Sequence, residues 1–215
     1  MTIKPSELFS FYSHLAGVFA AVIGTFFLSA VAAKVPYGIA TALIYGGSVV
    51  FLFLASALYH AFKQQENEVS FWRKMDHLAI FFMIAGTYTP VCYFCLDGFW
   101  KWAMILTQWS LVLIGALLQI FFPKAPRALN VTVYLTMGWL ALLPLKQILS
   151  VMTFSQEMLM WGGGIAFTLG GVIYGLKRPR LIPGVFGFHE LFHIMVLIGG
   201  AFHYAMVYSV FYQRL

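Results

Sequence analysis

The sequence predicts an all-α integral membrane protein, a seven-transmembrane helix bundle forming one domain over residues 1–215. Three observations carry this. The chain is 61% hydrophobic and only 9% charged, with a mean hydropathy of +0.86, which places it outside the soluble globular class. Its apolar residues gather into runs near the ~20 residues that a bilayer-crossing helix needs. Short polar breaks separate those runs.

The expected spans are 9–33, 39–62, 76–96, 101–122, 128–149, 157–176 and 187–212. The breaks between them carry helix-stopping or charged residues. They are Lys34-Val35-Pro36, the polar run from Lys63 to Lys74, Asp97-Gly98, Pro123 to Arg127, Ser150 to Glu157, and Lys177-Arg178-Pro179-Arg180. Most linkers are short, so neighbouring helices are expected to pack antiparallel. No internal repeat stands out. The first apolar run is of spanning length and lacks a small-residue cleavage site, which argues against a signal peptide.

A net charge of +6 raises the question of nucleic acid. The basic residues are scattered in ones to threes between apolar spans, which is the pattern of a topology signal and not of a binding stripe. One side carries Lys4, Lys63, Arg73, Lys74, Lys124, Arg127, Lys177, Arg178 and Arg180; the other carries Lys34, Lys101, Lys146 and Arg214. Nine against four places the N-terminus in the cytoplasm and the C-terminus outside. The two cysteines, Cys92 and Cys95, form a C-x-x-C after Pro90 at the end of a span. Without a strand–turn–helix context they are read as packing residues and not as a redox pair.

With this topology, ionisable residues from three segments reach one layer near the cytoplasmic face. The second span brings Ser56 and His60, the third Asp76 and His77, and the seventh His189 and His193. Four residues apart on a helix, His189 and His193 share a face about 6 Å apart along the axis. Ionisable groups inside a membrane are costly and mark function by default. Three histidines from two helices are enough for a catalytic type of metal site with one open position, so His60, His189 and His193 are the expected ligands. Neutral imidazoles make zinc the first choice, with iron, manganese and nickel left open by ligand type.

Asp76 is expected to orient a ligand imidazole, hold a water, or act as a general base; a salt bridge to Arg73 or Lys74 is the alternative. Ser56, one turn before His60, either supports the site or packs as a small residue. His77 and Glu190 point about 100° away from their neighbours Asp76 and His189. His203 lies about 15 Å along the helix from His193. For His14, His77, Glu190 and His203 the expectation is interhelical hydrogen bonding.

The motifs Ser56-Ala57-Leu58-Tyr59-His60, Asp76-His77-Leu78-Ala79-Ile80 running into Ile84 to Pro90, and Phe188-His189-Glu190-Leu191-Phe192-His193 resemble those of the hemolysin III family. That family is the bacterial branch of the progestin and adipoQ receptors, grouped with the alkaline ceramidases. The resemblance covers every expected span. It implies a zinc site built from Ser56, His60, Asp76, His189 and His193, and an inverted seven-helix bundle with the N-terminus inside. His14 and His203 also match recurrent positions, whereas Ser10 departs from an asparagine common in relatives; no metal ligand changes. The expected function is a zinc-dependent hydrolase of a lipid amide or ester in a bacterial inner membrane, serving lipid and fluidity homeostasis, with membrane lipids as partners. Asp76 and Ser56 are the expected catalytic residues. A membrane sensor with a structural zinc site is the alternative. The pore-forming activity that the family name implies finds no amphipathic pore-forming segment here.

Overall fold

A computed structural model describes residues 3–65, 68–179, 181–182 and 186–215. Arg180, counted above for orientation, lies outside the described residues. The helices are α1 (Leu8–Ala32), α2 (Gly38–Phe62), α3 (Phe71–Cys95), α4 (Gly98–Phe121), α5 (Arg127–Trp139), α6 (Leu145–Val151), α7 (Phe154–Leu176) and α8 (Phe188–Tyr212). Short 3₁₀ turns precede α1 (Pro5–Glu7) and follow α5 (Leu140–Leu142). Among the described residues, six helices are long and apolar enough to cross a bilayer, and the bent pair α5–α6 gives a seventh if the two helices form one span. The protein is thus a multi-pass membrane protein, as the sequence predicts.

Among the boundaries that differ from the expected spans, three have a local reason in the chain. The fifth span is not one helix: it bends by 59° between Leu142 and Leu145. Pro144 has no N–H and cannot continue the ladder, so the chain turns through the 3₁₀ segment and restarts. The third helix begins at Phe71 and not at 76, because the Ser70 side chain accepts from the Arg73 N–H and caps it. The sixth span, α7, begins at Phe154 and not at 157, since Thr153 and Gln156 form a reciprocal capping box. Charged residues that read as linker are therefore first-turn helix residues.

The packing joins α1 to α2 and α8, α2 to α3, α3 to α4, and α7 to α8, while α5 rests mainly on α7. Small residues let the backbones approach. A Cβ on Gly86 would lie 2.5 Å from the Ser48 Cβ and 2.4 Å from its Oγ. A Cβ on Gly163 would sit 2.1 Å from the His203 ring. Ser48 offers no flexible end that could yield, so Gly86→Ala should force α2 and α3 apart. It is expected to cost about 1–3 kcal/mol, as overpacked cores do, seen as a lowered melting temperature of the detergent-solubilised protein.

The two ends of the bundle differ. Lys4 Nζ donates to the Gln64 carbonyl, and Arg73 Nη1 donates to the Pro123 carbonyl at 3.0 Å. These bonds put the N-terminus beside the α2–α3 and α4–α5 connections. At the other end Arg214 donates to the Phe94 carbonyl, Lys101 lies 5.1 Å over the Tyr93 ring, and Tyr37 packs on the same ring. The termini are thus at opposite ends of the bundle. Cys92 and Cys95 are free, buried thiols in the core.

Candidate metal centre

His60 sits in the last turn of α2, at the N-terminal end of the bundle; His189 and His193 occupy the first two turns of α8 at that same end. His60 and His193 are each 1% exposed. The His189 Nε2 lies 3.3 Å from the His60 Nε2 and 3.2 Å from the His193 Nε2. One nitrogen from each residue lies within 4.8 Å of the other two. A tetrahedral ion at about 2.0–2.1 Å from each nitrogen needs its ligands about 3.3–3.4 Å apart. The two edges through His189 match that spacing within about 0.1–0.2 Å, and the third, between His60 and His193, lies within 4.8 Å.

Hydrogen bonding alone serves the cluster poorly. His60 Nδ1 faces the Glu7 Oε2 at 2.6 Å, so the ring donates Nδ1–H to the carboxylate and turns an Nε2 lone pair inward. The His189 Nε2 then faces two imidazole nitrogens with at most one hydrogen to offer. Every neutral arrangement leaves one hydrogen shared or two lone pairs opposed. A cation that takes all three lone pairs resolves this, so the residues fit a metal ion.

Glu7, which is not among the residues expected from the sequence, is the main addition. It is 8% exposed and divides its carboxylate between His60 and the Lys63 Nζ at 2.7 Å. A carboxylate behind a ligand imidazole fixes the ring's tautomer and raises its basicity. Its signal was helical phase: Glu7, Ser10, His14 and Gly17 fall on one face, and all four are buried.

Ser56 is buried one turn before His60. Ser56, Asp76, His189 and His193 line a single cavity of about 1290 Å³ that runs into the bundle between α3, α5, α7 and α8. Asp76 is half-buried, and the ion pairs among the described residues are Glu7–His60, Glu7–Lys63 and Asp97–Lys101. The salt bridge to Arg73 or Lys74 is therefore not formed.

The remaining candidates separate. His14 packs against His193 with ring centroids 3.9 Å apart and edge-on to Phe53; neither of its nitrogens has a hydrogen-bond partner among the described residues. It borders the cluster and does not form the expected interhelical bond. The His203 Nε2 does reach across, to the Met160 carbonyl at 3.4 Å. At His77 it is the backbone carbonyl that takes an interhelical bond, from Tyr134 Oη at 3.2 Å. Glu190 caps its own helix by accepting the Gly187 N–H at 2.7 Å.

Comparison with known proteins agrees with this architecture. A family model described as Haemolysin-III related matches residues 3–204. The chain is 33% identical to the Hemolysin-3 homolog of Bacillus subtilis over 98% of its own length and 95% of the relative's. It is 30% identical to Hemolysin-3 of Bacillus cereus, over 74% and 69% of the two chains. A more distant similarity, 24% identity over 75% of this chain and 56% of the relative, is to the ADIPOR-like receptor IZH2 of Saccharomyces cerevisiae. The chain belongs to the haemolysin-III-related family of membrane proteins.

Proposed function

We infer that the protein is a zinc-dependent hydrolase of the bacterial inner membrane, N-terminus in the cytoplasm, that cleaves an amide or ester bond of a membrane lipid. One observation supports this above the others: three imidazole nitrogens gather within 4.8 Å of one another, beside a large cavity shared with an acid and a hydroxyl. When bound, a zinc ion supplies Lewis acidity toward water and toward a substrate carbonyl. His60, His189 and His193 would hold it, and Glu7 fixes the His60 tautomer. Asp76 takes a proton as water attacks the carbonyl carbon. Ser56 donates its hydroxyl to the oxygen that gains charge. The C–N or C–O bond then breaks, and the proton held on Asp76 passes to the leaving amine or alcohol. The apolar depth of the cavity receives the acyl chain, which lets the lipid be drawn from the membrane for homeostasis of its composition.

Asp76→Asn is expected to lower kcat by about 10²–10⁴-fold, the usual loss of a general base, with metal content unchanged. Release of fatty acid from acyl-amide and acyl-ester lipids by purified, metal-loaded protein is the assay. Loaded protein inert toward every such lipid would overturn hydrolysis and leave a site of structural kind.

A further inference from the structure

The cavity that reaches His189 and His193 has a cationic mouth lined by Lys63, Arg73, Lys124, Arg127 and Lys177. Three acids line it as well: Glu7, Asp76 and Glu190. Glu7 is taken by Lys63 and His60, Glu190 accepts the Gly187 N–H, and Asp76 has no ion pair among the described residues. Of the five cations, only Lys63 has a carboxylate partner among the described residues. A positive-inside bias accounts for the presence of such residues at this end. It does not account for their turning into a cavity.

Arg127 carries the clearest sign of a missing partner. Its guanidinium lies 4.3 Å over the Tyr174 ring and 5.5 Å from the Phe188 ring centre, which fixes its plane. Its Nη1 is fully enclosed and has no acceptor among the described residues. An enclosed donor left unpaired calls for an ion or water at that point. The backbone there is short of acceptors too. No side chain caps α5, and the first amides to bond back are those of Leu129 and Asn130, both to the Pro126 carbonyl. The Arg127 and Ala128 amides therefore stand at the positive end of the helix, a ready anion site. Arg73, tied to the Pro123 carbonyl, brings a second guanidinium to the same connection.

We propose that this mouth binds the phosphate of an anionic phospholipid head group, so that the lipid entering the site carries net negative charge. The proposal rests on the lipid-binding reading above and narrows its substrate class. Arg127 and the α5 amides donate to the phosphate oxygens, with Arg73 beside them and exposed Lys124 and Lys177 at the rim. The lining then runs without interruption to Leu52, Ile80, Met83, Phe167 and Val196, which suits acyl chains joined to the phosphate. A zwitterionic phospholipid brings the same phosphate with a cation beside it, and that cation would meet four lining cations that have no carboxylate partner among the described residues.

Native mass spectrometry of the detergent-solubilised full chain tests this, with phosphatidylglycerol and phosphatidylcholine of identical acyl chains as probes. The wild type is expected to favour phosphatidylglycerol by about tenfold, because the choline cation of the other lipid is repelled by the lining arginines and lysines. Arg127→Gln should erase that preference while keeping its metal, which the same spectra read from mass. If Arg127→Gln fails to fold, Lys124→Gln/Lys177→Gln, both exposed, should reduce the preference by about two- to threefold. Lys74 lies at the same end but does not line the cavity, so Lys74→Gln should leave the preference intact. Equal binding of the two lipids by the wild type would overturn the proposal. So would a Lys74→Gln loss as large as that of Arg127→Gln, which would mean general surface charge. Displacement of phosphatidylglycerol by an equal concentration of inorganic phosphate would overturn the lipid as the source of the anion. Metal-free wild type that keeps the preference would sink the metal-dependent hydrolase and leave this site standing; metal-loaded, indifferent protein does the reverse.

Discussion

Protein carrying His189→Ala and His193→Ala together is expected to lose its metal and keep its helices. The double change removes two of the three nitrogens that meet at 3.2 and 3.3 Å and leaves His60 as a single ligand. A lone imidazole does not hold zinc against buffer or detergent wash, so metal should fall from about one ion per chain to a small fraction of that. The helix itself has other support. The Glu190 cap of α8 stays in place, and so do the buried contacts of Val196, Val207 and Phe211 deeper in the helix. Circular dichroism should therefore retain its helical signal while elemental analysis loses the metal. A folded double variant that keeps about one metal per chain would place the ion elsewhere.

Glu7 carries the second large effect. Glu7→Gln keeps an oxygen that accepts from His60 Nδ1–H but removes the charge that makes the imidazole a stronger ligand. Loss of such a partner costs about 10–100-fold in metal affinity, and this substitution should fall toward the lower figure. Glu7→Ala should fall toward the higher one, because it also strands the Lys63 ammonium now held at 2.7 Å and lets the His60 ring turn. Competition against a chelator of known affinity reads both. Affinity unchanged in Glu7→Ala would show that His60 needs no carboxylate behind it.

How far the sequence reveals this site depends on the kind of information each residue carries. His189 and His193 are legible because four residues on a helix fix their spacing regardless of tertiary structure. His60 and Asp76 are legible by depth, since counting spans puts them at the same end as α8. Glu7 is not, because it meets His60 across 53 positions of sequence and lies in a 3₁₀ turn ahead of the first expected span. Only the phase of Glu7 with Ser10 and His14 hinted at a shared face. The bend at Pro144 had a signal in the proline itself, but a mean hydropathy taken over 128–149 averages across it. The basic residues of this end are legible as charge and read as a topology signal, but which of them turn into the cavity is set by how α5 docks on α7. Arg127 joins the site through the Tyr174 and Phe188 rings, contacts that no local pattern encodes.

The most direct test of a three-imidazole metal centre is X-ray absorption at the metal edge on gently purified protein never exposed to chelator. The predicted spectrum is that of zinc with three imidazole nitrogens and one further light atom, at about 2.0–2.1 Å. Sulfur ligation, an all-oxygen shell, or the absence of bound metal would contradict it.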